Sequence, residues 1–123
     1  LFFGRGYCKK SFETSMVEIK LSPKAELKYN QILDYTLEEF GETTEKRFEE
    51  CFLEKLKRLS MFPLSSPIEP RLRKYKIFRS CILMEDFKFI YRYSQDRNLI
   101  VVLDFWDMRM NPSRLVRRFW KDI

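Results

Sequence analysis

At 123 residues, 45% hydrophobic and 34% charged, the chain suits one domain around one core, and no run approaches the roughly twenty apolar residues of a membrane helix, so a soluble, cytoplasmic protein is expected. It contains no histidine, and Cys8, Cys51 and Cys81 are far apart without CxxC spacing, which leaves no ordinary zinc site and predicts reduced thiols, no metal and no cofactor. The net charge of +6 is uneven: residues 34–54 hold eight acids against two bases, residues 71–123 thirteen bases against six acids. That asymmetry points to a basic surface for nucleic acid or an acidic protein partner.

Residues 1–15 (LFFGRGYCKKSFETS) show no sustained period and lack the apolar stretch of a secretory signal, so they read as a leader or extension outside a domain spanning 16–123. Val17 to Leu21 alternate apolar and charged, which predicts a short half-buried strand. Ser22-Pro23 supplies an N-cap and a proline at the first helical position. The helix after it places Ala25, Tyr29, Ile32, Leu33, Thr36 and Phe40 on one stripe and stops at Gly41. A second helix is expected with Thr43 or Thr44 as cap, Glu45 in its first turn, and Phe48, Cys51, Phe52, Leu56 and Leu59 inward, ending at Pro63. Joined by about three residues, the two make an antiparallel helical hairpin.

Residues 63–70 (PLSSPIEP) hold three of the five prolines and predict a loop. Three strands follow, separated by polar turns at Glu85-Asp86 and at 94–98: a basic-then-apolar segment ending at Met84, an aromatic row of Phe87, Phe89, Tyr91 and Tyr93, and the apolar run Leu99 to Trp106. The aromatic row reads as the core face of the meander. Pro112 to Asp122 predicts a closing helix with Leu115, Val116 and Phe119 or Trp120 inward and Arg114, Arg117, Arg118 and Lys121 outward. The order is β-α-α-β-β-β-α, an α+β domain with a helical hairpin on a mainly antiparallel four-stranded sheet.

The stretch VVLDFWDMRMNP, 101–112, runs from a buried strand into Asp107 and Arg109, two apart on extended chain and therefore on one face. A guanidinium at a sheet end can meet phosphate or carboxylate bidentately. Two plainer roles for the carboxylate stand beside this, pairing with that arginine or capping the last helix, and as a base it needs burial to raise its ordinary value of about 4.

The ordered combination resembles the RelE/ParE superfamily of bacterial type II toxin–antitoxin (plasmid-stabilisation) toxins. LSPKAELKYNQILDYTLEEFG looks like that family's first helix, IFRSCILMEDFKFIYRY like its second and third strands, and NLIVVLDFWDMRMNP like its fourth strand and exit. The resemblance implies a toxin held inactive by a wrapping acidic antitoxin. Its target is then either messenger RNA on the ribosome, by endoribonuclease action, or DNA gyrase, without nuclease activity; a non-toxic protein-binding relic of the fold is a third reading. Whether the chain is an enzyme stays open. For the nuclease, the resemblance implies Arg79 and Arg109 as catalytic candidates, with Lys76 and Lys74 where family lysines approach a phosphate; Asp107 departs from the family, sitting near where many relatives place a histidine, and is the candidate base, while Arg92, Arg114, Arg117 and Arg118 are candidate RNA- or target-binding residues. The histidine or late tyrosine of many relatives has no counterpart here, since no tyrosine follows Arg109.

Deleting residues 1–15 is expected to change thermal stability by less than about 0.5 kcal/mol. Loss of cooperative unfolding in the shortened protein would contradict a domain beginning at Met16.

Overall fold

The computed structural model describes residues 17–122; the expected leader at 1–15, with Cys8, lies outside the described residues. The elements are β1 (Glu18–Leu21), α1 (Pro23–Phe40), α2 (Glu42–Met61), a 3-10 turn (Pro70–Leu72), β2 (Arg79–Leu83), β3 (Phe87–Ser94), β4 (Leu99–Asp107) and α3 (Pro112–Asp122). The sheet order is β1-β4-β3-β2, with β1 parallel to β4 and the other pairs antiparallel. The expected α+β architecture is what the chain adopts. Among the described residues no helix is long and apolar enough to cross a membrane.

Two cores sandwich the sheet. On one face α1 and α2 bury Ala25, Tyr29, Leu33, Phe48, Phe52 and Leu56 against Ile19, Leu83, Phe89, Tyr91, Ile100 and Phe105. Tyr29 is at its centre, with ring centroids 4.8 Å from Phe52 and 5.4 Å from Phe105. Each such fully buried large side chain contributes about 1.5–3 kcal/mol of transfer free energy. On the other face a smaller cluster of Leu72, Phe78, Ile90, Trp106, Leu115 and Phe119 seats α3. The aromatic row is core as expected: Phe89 and Tyr91 are fully buried, and Phe87 and Tyr93 pack against them.

Ser22 caps α1 as its sequence predicts, its Oγ accepting from the Ala25 N–H at 3.1 Å. The junction between the helices differs from expectation. Gly41 alone separates α1 from α2, and it serves as C-cap of the first and N-cap of the second. Thr43 and Thr44 already lie inside α2 and no side chain caps it. Gly41 has φ +90° and ψ 176°, a conformation nearly reserved for glycine, and it reverses the chain in a single residue. Phe40, the last residue of α1 and expected on the inward stripe, is 60% exposed. Cys51 and Cys81 are half-buried rather than fully enclosed.

A further departure lies in β4. Its register against β3 shifts between Ile90 and Tyr91: Ile90 faces Asp104, whereas Tyr91 faces Val102. Leu103 is therefore the extra residue of a β-bulge, which reverses the alternation along the strand. Val102 and Phe105 consequently both join the helical-hairpin core, while Asp104 and Trp106 turn toward α3.

Gly41→Ala is expected to cost about 1–3 kcal/mol in urea denaturation, purely through backbone strain, because an added Cβ there meets nothing within 4 Å. Thr43→Ala should stay within about 0.5 kcal/mol. A loss at Thr43 of the size of a missing cap, about 1 kcal/mol, would restore it to the capping role.

Candidate functional site

β4 delivers Asp107 as its last residue, opposite Phe87 at the start of β3. A tight turn follows, in which the Met108 N–H donates to Asp86 O at 2.7 Å and the Met110 N–H to Asp107 O at 3.0 Å. Asn111 then opens α3, its Oδ1 accepting from the Ser113 N–H at 2.8 Å. These local bonds fix where Arg109 projects.

Arg109 lies in a cage of acids and one ring. Its Nε and one terminal nitrogen donate to the two oxygens of Asp107, both at 2.9 Å, and its backbone N–H donates to Asp107 Oδ1 at 3.0 Å. The other terminal nitrogen is 3.8 Å from Asp86 Oδ2, and the guanidinium carbon sits 5.6 Å from the Phe87 ring centroid. This is the planar fork geometry that lysine cannot reproduce. The hydrogen-bonded guanidinium holds the Asp107 carboxyl below its ordinary value, outweighing partial burial, and the Arg109 backbone N–H adds to the effect. Arg109 is pushed up in turn, chiefly by Asp107. The condition for Asp107 to act as a base, a raised pKa, is thus opposite to what its surroundings impose.

Two grooves flank this pair. One, of about 290 Å³, runs between α1, the end of β4 and α3, with Lys28, Tyr35, Asp107, Arg109 and Arg118 among its walls. The other, of about 580 Å³, is bounded by Tyr35, Phe40, Arg47, Glu85, Asp86 and Arg109, at the Gly41 end of the helical hairpin. Arg109 is 49% exposed at the divide between them. Phe40 and Tyr35 offer exposed apolar surface in the walls of the larger groove.

The other candidate residues are spread widely. Arg79 stands opposite Tyr91, four β3 residues from Phe87 and hence about 13 Å along the sheet from the Asp107 position. It is turned to the protein itself: one terminal nitrogen donates to Ser66 O at 2.7 Å and to Leu64 O at 3.4 Å, stapling the proline loop after α2. Tyr91 assists by donating to Pro63 O at 2.9 Å. Lys74 and Lys76 lie exposed before β2, Lys76 with φ +56°. Arg92 is exposed opposite Val101. Arg114 and Arg117 are exposed on α3, while Arg118 is half-buried and lines the smaller groove. Arg118 thus joins Arg109, whereas Arg79 does not. Sequence reasoning missed Asp86, Phe87 and Tyr35 as neighbours of Arg109. Asp86 was readable only as a turn residue and Phe87 only as core, because the strand pairing alone brings them to the β4 exit.

A sequence model for a family described as "ParE toxin of type II toxin-antitoxin system, parDE" matches residues 19–112, from β1 through the first residue of α3. No curated protein matches the chain.

Because the Asp107 carboxyl is depressed in the folded protein, its stabilising contribution is present above the unfolded value of about 4 and is lost as the pH falls through the folded one. Asp107→Asn is expected to cost no more than about 1 kcal/mol at neutral pH, since the pair is largely solvated. In urea titrations the gap to the parent should narrow as the pH drops below about 4. A gap that persists unchanged in acid would show that Asp107 acts through something other than its charge.

Proposed function

The chain belongs to the ParE toxin family of type II toxin–antitoxin systems, and from that premise we propose that it arrests growth by binding DNA gyrase rather than by cutting RNA. The family implies a cognate antitoxin as partner. The choice of target rests on one observation above all. The arginine at the β4 exit is already neutralised by a bidentate carboxylate, and the second arginine of the nuclease scheme stands about 13 Å away along the sheet, engaged with loop carbonyls.

Cleavage by 2′-hydroxyl attack needs a proton acceptor, a proton donor and cations converging on one phosphate. Here the carboxylate bound in the Arg109 fork is held ionised and hydrogen-bonded, which makes it a poor acceptor at neutral pH. Arg79 and Arg109 are too far apart along the sheet to clamp one phosphoryl group. A binding role makes better use of the same parts. Arg109, oriented by Asp107, Asp86 and the Phe87 ring, is a preordered guanidinium at the divide of two grooves, with Arg118 and Lys28 beside it. Fixed geometry lowers the entropy lost on docking, and arginine is a frequent anchor of protein interfaces.

Arg109→Ala should abolish growth inhibition in a bacterial host while moving the melting temperature by only a few degrees. With purified components, the parent protein should inhibit gyrase supercoiling and leave ribosome-bound message intact. Message cut on ribosomes, or full toxicity of Arg109→Ala, would reject the respective half of the proposal.

A further inference from the structure

Two segments distant in sequence carry bases and no acids. Residues 70–76 (PRLRKYK) hold Arg71, Arg73, Lys74 and Lys76, and residues 112–121 (PSRLVRRFWK) hold Arg114, Arg117, Arg118 and Lys121. The smaller core brings them side by side. Leu72 and Phe78 are buried with Leu115 and Phe119, and the Phe78 and Phe119 rings meet edge-on at 5.2 Å. The face so formed lies across the sheet from the helical hairpin.

An open groove of about 710 Å³ runs between the segments, with Arg71, Arg73, Lys88 and Arg117 along it. Glu69 also lines the groove, but its carboxylate is buried, paired with Lys88 and accepting from the Arg71 N–H at 2.9 Å. The side chains of Arg71, Arg73 and Arg117 form no ion pair among the described residues. Outside its lining, two residues on from Arg73 and one turn on from Val116, stand two rings, Tyr75 at 49% exposure and Trp120 at 38%, with centroids 4.8 Å apart. Lys74 Nζ lies 5.9 Å from the Tyr75 centroid.

Cations alone would accept any polyanion. The exposed rings narrow the choice, because unpaired nucleobases stack on aromatic faces while duplex bases are buried in their own stack. We infer that the face built from residues 70–76 and α3 binds single-stranded nucleic acid, its phosphates along the Arg71–Arg73–Arg117 groove and a base against the Tyr75–Trp120 pair. This inference does not depend on gyrase being the target: it concerns the opposite face from the hairpin and its readout is direct binding.

The test is fluorescence anisotropy of the full chain with labelled oligo-U and oligo-dT of about 12 nucleotides, the two sugars distinguishing an RNA from a DNA source. A duplex of equal length and poly-glutamate serve as competing probes. Both or one of the single strands should bind at about 50 mM salt and weaken steeply by about 200 mM. The pair Arg73→Glu with Arg117→Glu should lose at least about tenfold in affinity, whereas Lys20→Glu with Lys57→Glu, an equal change of net charge elsewhere, should lose less than about threefold. Trp120→Ala should weaken single-strand binding about tenfold and Trp120→Phe much less, with duplex binding unchanged. Equal losses for the two charge-reversal pairs, no single-strand binding at low salt, duplex or poly-glutamate bound as tightly as the single strands, or Trp120→Phe as defective as Trp120→Ala in a folded protein would each overturn the inference.

Discussion

A fully buried carboxylate, Asp104, holds the three layers together. It sits next to the Leu103 bulge and is satisfied on both oxygens: one accepts from the Phe105 N–H at 2.9 Å, the other from Trp106 Nε1 at 3.0 Å, with Lys24 Nζ at 3.3 Å. Lys24 lies in the first turn of α1, and its Nζ also donates to Arg118 O on α3 at 3.3 Å. One buried charge pair therefore links the central strand to a helix on each side of the sheet. Burying two ions costs several kcal/mol unless partners surround them, so the pair tolerates few alternative arrangements of these elements. Its neighbour Ser22 strengthens the same junction, donating from its backbone N–H to Val102 O at 2.9 Å and from Oγ to Leu103 O at 3.3 Å.

The bulge is what makes that carboxylate possible. A regular strand would place Val102 and Asp104 on one face, and either a valine would face α3 or an aspartate would enter the hairpin core. With Leu103 as the extra residue, itself packed on the smaller core, Val102 and Phe105 both serve the large core and Asp104 points to the smaller one. The phase change also sets the face on which β4 ends. Asp107 comes out on the hairpin side, opposite Phe87, and Arg109 therefore meets Asp86 and the grooves beside α1. A single inserted residue thus connects the interior of the domain to the geometry of its candidate site.

The fold also separates charge by face. The acids of residues 34–54 ride on the helical hairpin, and the bases of 70–76 and 112–121 gather across the sheet. Like charges on one face repel and destabilise the compact state slightly, while the resulting field attracts partners of opposite sign. Arg109 stands between the two regions as a cation already compensated by Asp107 and Asp86. The hairpin end with its exposed Tyr35, Leu37 and Phe40 suits an amphipathic protein partner, and the basic face suits a polyanion. On this reading the two partners need not compete for one surface.

The sequence by itself determined the elements and their order. Pro23, Gly41, Pro63 and Pro112 act on their own backbone or an adjacent turn, and the stripes of Tyr29, Leu33, Phe48 and Phe52 follow from helical period alone. It also paired Asp107 with Arg109, though by another route than expected: β4 ends at Asp107, and the tight turn after it, not extended chain, brings Arg109 back onto the carboxylate. Tertiary structure decided what these side chains meet. Arg79 could not be read as a loop staple, because Leu64 and Ser66 reach it only through the packing of α2 on the sheet. Asp104 carries no local signal within the apolar run of β4, because its partners Lys24 and α3 are far away in sequence and the bulge that turns it inward leaves no glycine or proline as a mark. The bases on the outer face of the last helix and in the segment before β2 were legible separately, but not as one surface until Phe78 and Phe119 brought the two segments together. Local conformation is governed by steric rules within a few residues, whereas the assembly of a site depends on contacts whose formation carries the entropy of closing long loops and is repaid only by the packed core.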